Sequence, residues 1–158
     1  MKKSLFLLAT WIFVSCAFVF VAIYDFPLVH INKVIFFNTT ASMPKGFYVV
    51  SHETLRPGGL VVIESAKIKS NTIRQLPKYL LKRLIAYHGE LVTINNEGLF
   101  MDGKLSAKKL ISSGVSFNSV LSLGQALILG DSERSYDSRY FGPVEVSDLI
   151  PVRPFVTW

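Results

Sequence analysis

A mainly β domain tethered by one N-terminal transmembrane helix is the architecture this sequence predicts, and three observations carry it. Lys2 and Lys3 open onto a charge-free run from Ser4 to Ile23. The remainder of the 158 residues breaks into short apolar stretches separated by Gly, Pro, Asn and Asp. No repeat or low-complexity segment interrupts them, and the length fits one compact domain after an anchor. The expected division is an anchor over residues 1–24 and a folded domain over residues 25–158.

The anchor comes first in the chain. A helix needs about twenty apolar residues to cross the hydrocarbon core, and the run from Ser4 to Ile23 meets that length. Two lysines before it and Asp25 after it leave the N-terminus in the cytoplasm and put the domain on the outer face of the inner membrane. The rival is a cleaved secretory signal. Ala22-Ile23-Tyr24-Asp25 offers no small-x-small cleavage site. Phe13-Val14-Ser15-Cys16 faintly resembles a lipoprotein site, but the apolar run continues past it to Val21. A buried core helix is disfavoured because the run shows no polar face.

The elements that follow read as strands and turns. Val34 to Phe37 is strand-like, Asn38 to Lys45 is a loop, and Gly46 to Ser51 is a second strand. Arg56-Pro57-Gly58-Gly59 is a turn before the strand Leu60 to Glu64. Asn71 to Leu81 suggests a short helix interrupted by Pro77, with a strand pattern resuming over Leu84 to Ile94. Two turns flank the short strand Leu99 to Met101. Ala126 to Gly130 and Val152 to Trp158 complete the set.

Composition narrows the function classes. The formal net charge is +6, but the basic residues are dispersed over Lys67, Lys69, Arg74, Lys78, Lys82, Arg83, Lys104, Lys108 and Lys109. No arginine-rich or zinc-finger pattern appears, so nucleic acid is not an expected partner. A basic surface beside anionic lipid headgroups is the simpler reading. Cys16 is the one cysteine, so no intramolecular disulfide and no Cys/His metal spacing exist, and neither metal nor cofactor is expected.

Three segments carry chemistry. The first is Thr40-Ala41-Ser42-Met43-Pro44-Lys45-Gly46, which puts a serine on a loop between two apolar strands. A serine hydroxyl is a weak nucleophile and needs a base. His30, His52 and His88 are available, and a Ser-His-Asp arrangement stays open because that geometry occurs in several chain orders. No Gly-x-Ser-x-Gly elbow supports it. The second segment, Tyr79 to Glu90, offers Lys82 between Leu80-Leu81 and Leu84-Ile85. An apolar setting is what a neutral, proton-accepting lysine requires. Taken alone, Lys82 also reads as a lysine whose head reaches water beside Arg83. The third, Gly130 to Pro143, gathers Asp131, Ser135, Asp137 and Arg139 after an apolar strand. Asp137 and Arg139 can pair to fix a loop, and a serine there can hydrogen-bond a neutral lysine.

Together the segments resemble the serine/lysine signal-peptidase family, peptidase S26, in order and spacing. Ser42-Met43-Pro44 is similar to its nucleophile box, Gly58 to Ile63 to the strand box that follows, Lys82-Arg83 to its general-base box, and Gly130-Asp131 through Asp137-Ser138-Arg139 to its last box. The likeness spans roughly residues 34 to 151. Asn38-Thr39-Thr40-Ala41-Ser42-Met43-Pro44-Lys45-Gly46 and Tyr140-Phe141-Gly142-Pro143 most resemble the conjugal-transfer branch, the TraF-type pilin-maturation peptidases. Ser132 and Glu90 depart from the general pattern, which has Asn and Asp there.

The resemblance implies a signal-peptidase-like β domain in which Ser42 is the nucleophile and Lys82 the general base. Ser135 would orient Lys82, and Asp137 and Arg139 would brace the loop, Asp137 acting more directly in the pilin-processing branch. The Ser42 N–H with the Thr40 hydroxyl would hold the oxyanion. The implied substrate is an exported protein precursor, such as a conjugative pilin, cut after small residues through an acyl-enzyme that water or the substrate's own amino terminus resolves. A general type I signal peptidase and a non-catalytic assembly protein on the same fold are the alternatives. Phe36, Phe37, Met43 and Trp158 read either as a rim resting on the membrane or as core.

Overall fold

The computed structural model describes residues 29–31 (their backbone), 35–69 and 76–158. The expected anchor over residues 1–24 lies outside the described residues. Among those described, no helix is long and apolar enough to cross a membrane.

The described chain is mainly β, as expected. It forms β1 (Val29–Ile31), β2 (Ile35–Asn38), β3 (Gly46–Val50), β4 (Leu60–Glu64), β5 (Tyr79–Tyr87), β6 (Leu91–Ile94) and β7 (Gly98–Met101). Then come β8 (Lys104–Lys108), β9 (Phe117–Val120), β10 (Gln125–Leu129), the single helical turn α1 (Ser138–Phe141), β11 (Val144–Glu145) and β12 (Leu149–Thr157). Among the described residues the larger sheet runs β1-β2-β3-β12-β4-β5-β10-β11 and the smaller β8-β7-β6-β9, with every pairing antiparallel. The last strand, β12, lies between β3 and β4, so the C-terminus closes the sheet.

Both faces of the larger sheet are covered. In β4, Val61 and Ile63 enter a core with Leu80, Leu84, Ala126, Ile128 and Phe141, while Val62 enters another with Phe36, Met43, Tyr48 and Leu81. This two-sided burial is why β4 reads as a continuous apolar run rather than an alternating one. A third core, with Ala86, Val92, Ile94, Leu99 and Leu127, joins the two sheets.

Two sequence expectations change here, and two strands go unforeseen. The helix suggested over Asn71 to Leu81 gives way to strand from Tyr79, and residues 71–75 lie outside the described set. Alternation explains the change: Leu80 faces one core and Tyr79 and Leu81 the other, while pairing with β4 fixes the register at Ile63↔Leu80 and Val61↔Lys82. The strands β8 and β9 carry mostly exposed polar residues, so their sequence shows no apolar signal. They are edge strands defined by pairing with β7 and β6. Finally, Phe36 and Met43 are core and leave the rim reading. Phe37 is buried, stacked on Phe47 at 4.7 Å and 5.9 Å from the ring of Trp158, which is 64% exposed.

Candidate active site

The loop between β2 and β3 carries Ser42, and its carbonyls are tied down from below. Asn38, at the end of β2, donates from Nδ2 to the carbonyls of Met43 (3.1 Å) and Pro44 (3.0 Å). The Tyr48 hydroxyl, on β3, donates to the Pro44 carbonyl at 2.6 Å. From the facing loop, the Ser132 N–H donates to the Ser42 carbonyl at 3.3 Å. These ties set the height at which the Ser42 side chain leaves the sheet.

Lys82 sits mid-strand in β5, on the same face as Leu80 and Leu84 because side chains alternate along a strand. It is 2% exposed. Its Nζ lies 3.0 Å from Ser42 Oγ and donates to it. Burial pushes the lysine down from 10.5 to about 8, with Arg139 adding to the shift and Asp137 and Asp131 opposing it. The head does not snorkel to water; the sheet register holds it against apolar neighbours and aims it at the serine.

The third segment turns back over the same place. Asp137 caps α1: its Oδ1 accepts from the Arg139 N–H (3.2 Å) and Nε (2.8 Å), and its Oδ2 from Arg139 Nη2 (2.7 Å) and the Gly130 N–H (2.9 Å). Arg139 also donates to the carbonyls of Lys108 (2.9 Å), Glu133 (3.1 Å), Ser132 (3.2 Å) and Ser135 (3.3 Å). Both residues are buried, so the pair gathers the 130–139 loop around one charge-assisted core. With all four of these bonds directed at it, the Asp137 carboxylate meets Arg139 and Gly130 rather than Ser42 or Lys82. Asp131 instead takes a two-point contact from Arg83 on β5, at 2.9 and 2.8 Å.

A cleft of about 350 Å³ opens over Ser42 and Lys82, with Leu80, Pro77 and Tyr136 among its apolar walls and Arg134 at its rim. No histidine lines it, and His52 and His88 are exposed elsewhere. The side chain of His30 lies outside the described residues. Ser135 lines the cleft too, but its buried hydroxyl makes no hydrogen bond, so the orienting contact to Lys82 is not formed here. Thr40 Oγ1 lies 3.1 Å from Ser42 Oγ and gives its proton to Asn38 Oδ1 at 2.7 Å.

Sequence reasoning missed Asn38, Tyr48 and Ser138. The signal for Asn38 was a polar residue closing an apolar strand. Ser138 Oγ accepts from the Ile128 N–H at 2.9 Å, where the β10–β5 ladder shifts register. That role depends on a bulge and has no local sequence signature.

Gly130 is small for a steric reason. A Cβ there would run into the Ser135 side chain and approach the Ser42 carbonyl to 2.9 Å. Gly130→Ala is expected to lower turnover by about 10²-fold, the cost typical of misplacing reacting groups by an ångström. Comparing kcat with thermal unfolding checks this, since the collision is local and should leave most of the fold's stability intact.

The profile of the family described as signal peptidase, peptidase S26, matches residues 5–158. Two plasmid transfer proteins TraF from Escherichia coli are 31% and 28% identical, each match covering 77% of this chain and 82% of the relative. A crystal structure of a signal peptidase I from Enterococcus faecalis matches at 21% identity and a TM-score of 0.42, over 65% of this chain and 99% of the other. The chain therefore belongs to the signal peptidase family, peptidase S26, and is similar within it to the plasmid transfer protein TraF.

Proposed function

We propose that this protein is a membrane-anchored serine endopeptidase that matures an exported precursor, a conjugative pilin, through a Ser42/Lys82 dyad. The observation that carries the reading is the 3.0 Å contact between Lys82 Nζ and Ser42 Oγ inside an open cleft. Neutral Lys82 takes the Ser42 proton as Oγ attacks the scissile carbonyl. The Ser42 N–H stabilises the resulting oxyanion, and the Thr40 hydroxyl joins it by turning its one hydrogen away from Asn38 Oδ1, a contribution typically worth about 3–4 kcal/mol per donor. Lys82 then returns the proton to the leaving amine, which departs and leaves an acyl-enzyme on Ser42. Water releases a linear product; the substrate's own amino terminus releases a cyclic one. Asp137 and Arg139 hold the loop that roofs the dyad, and Ser135 on that loop lines the same cleft with its hydroxyl unpartnered, available to orient Lys82.

In this reading residues 1–24 form the anchor, the enzyme domain lies on the periplasmic side of the inner membrane, and the partners are the precursor and membrane lipid. The exposed Trp158, packed on the half-buried Phe47, supplies an aromatic edge suited to the lipid interface. Family membership and likeness to TraF support a protein substrate.

The test is co-expression with a plasmid-encoded pilin precursor, followed by intact mass spectrometry of the product from membranes. Wild type is expected to process the precursor and Ser42→Ala to leave it at full length. A product lighter than the linear fragment by one water marks cyclisation. Processing by a folded Ser42→Ala chain overturns the dyad.

A further inference from the structure

Asn38 is 1% exposed and has both polar atoms of its side chain engaged with the Ser42 loop. Its Nδ2 reaches three carbonyls, those of Thr40 (3.2 Å), Met43 (3.1 Å) and Pro44 (3.0 Å). Three acceptors around one terminal atom identify the nitrogen end of the amide. The oxygen end therefore faces Thr40, and it accepts from the Thr40 N–H (3.1 Å) and from Thr40 Oγ1 (2.7 Å).

A threonine hydroxyl has one hydrogen. With that hydrogen given to Asn38, Thr40 can meet Ser42 Oγ at 3.1 Å only as an acceptor. Ser42 then spends its own hydrogen on Thr40 and accepts from Lys82 Nζ at 3.0 Å. The four groups point one way: Lys82 to Ser42, Ser42 to Thr40, Thr40 to Asn38. A protonated lysine is confined to that direction, since its ammonium has no lone pair, whereas the neutral amine can also accept. Catalysis needs the opposite direction at Ser42, whose proton must pass to a neutral Nζ. Reversal breaks either the Ser42–Thr40 bond or the Thr40–Asn38 bond.

We propose that Asn38 is a positioning residue that holds the hydroxyl chain in its resting direction and so sets the pH at which Lys82 can accept the Ser42 proton. This rests on the Ser42/Lys82 reading above. Asn38 touches neither Lys82 nor the substrate's reacting carbonyl and acts through Thr40. One hydrogen bond kept by the protonated lysine and broken when the neutral one accepts from Ser42 corresponds to about half to one pH unit. The charged groups around Lys82 are Asp137 and Arg139 on the α1 turn, Asp131 at the end of β10 with its partner Arg83, and Arg134 at the cleft rim. The substitutions below leave all of them in place.

The experiment follows Lys82 directly by NMR. The full chain is prepared in detergent micelles with lysine labelled by ¹³C at the ε carbon, and the Lys82 signal is assigned by its loss in Lys82→Arg. Titration midpoints are compared for wild type, Asn38→Ala, Thr40→Val and the double variant, each checked for folding by circular dichroism. Each single change is expected to lower the midpoint by about half to one unit. Asn38→Ala is expected to add nothing once Thr40 is Val. An unchanged midpoint in either folded single variant overturns the proposal. So does an equal shift from Asn38→Ala with and without Thr40, which would mean Asn38 acts through loop packing. If Asn38→Ala fails to fold, Thr40→Val decides alone. Pilin processing by Ser42→Ala is scored in parallel. Activity there sinks the dyad, whereas an inactive Ser42→Ala beside unchanged midpoints sinks only the role of Asn38.

Discussion

Lys82→Met is expected to reduce precursor processing by roughly 10²–10⁴-fold while making the folded domain more stable. The two effects share one cause. Burial lowers the lysine from 10.5 to about 8, which penalises its ammonium form in the folded chain. The gap corresponds to roughly 3 kcal/mol of destabilisation where the lysine is charged in both states. The sign follows from proton counting. Between about 8 and 10.5 the unfolded chain holds more protons at this site than the folded one, so stability rises with pH across that window. Methionine keeps the length of the side chain and removes the buried charge. It should therefore raise the unfolding midpoint at neutral pH, and its advantage over wild type should shrink as pH climbs through the window. In the wild-type enzyme the rate should rise with pH through about 8, because only the neutral amine accepts the Ser42 proton. A flat rate from mildly acidic pH to beyond that value, with chemistry limiting, would remove Lys82 as the base. A Lys82→Met chain less stable than wild type would mean that the burial cost is offset by bonds the lysine makes.

Arg139→Met is expected to cost roughly 3–5 kcal/mol of stability and to abolish processing as a consequence. Asp137 is 0% exposed and its carboxylate has Arg139 as its ion-pair partner at 2.7 Å. Removing the guanidinium leaves a buried charge without compensation, and it releases the four loop carbonyls that Arg139 holds. One of them belongs to Ser132, whose N–H supports the Ser42 carbonyl from the other side. The loss should thus reach Ser42 through the loop. Asp137→Asn with Arg139→Met should cost clearly less than the two single losses added, since the pair acts as a unit. Urea unfolding of the four proteins measures this coupling, and additive losses would show that the two side chains stabilise the loop independently.

Much of this was legible in the residues themselves. The β class followed from short Val- and Ile-rich runs such as Leu60 to Glu64, bounded by turn residues whose chemistry is local. The three chemistry-bearing segments could be picked out, because a loop serine, a lysine in apolar surroundings and an Asp-x-Arg turn are each local patterns. The strand that carries Lys82 was harder. Its start at Tyr79 lies beside Pro77, and its register depends on pairing with β4, the preceding strand, across a connection that shows no hairpin signal. The strands β8 and β9 were silent because an exposed edge strand needs no apolar face.

The sequence by itself determined which groups are available: a hydroxyl on a loop, an amine within an apolar strand, and an acid–base pair in a turn. The tertiary structure decided which of them meet. Ser42 and Lys82 stand forty positions apart, and their 3.0 Å contact exists because β4 places β5 beneath the β2–β3 loop. The same packing decided that Lys82 is buried rather than solvated, that Phe36 and Met43 are core, and that Asn38 is hydrogen-bonded to Thr40. Contact and burial depend on pairings between distant strands, and those are set by the cooperative packing of the whole sheet rather than by any local stretch of chain.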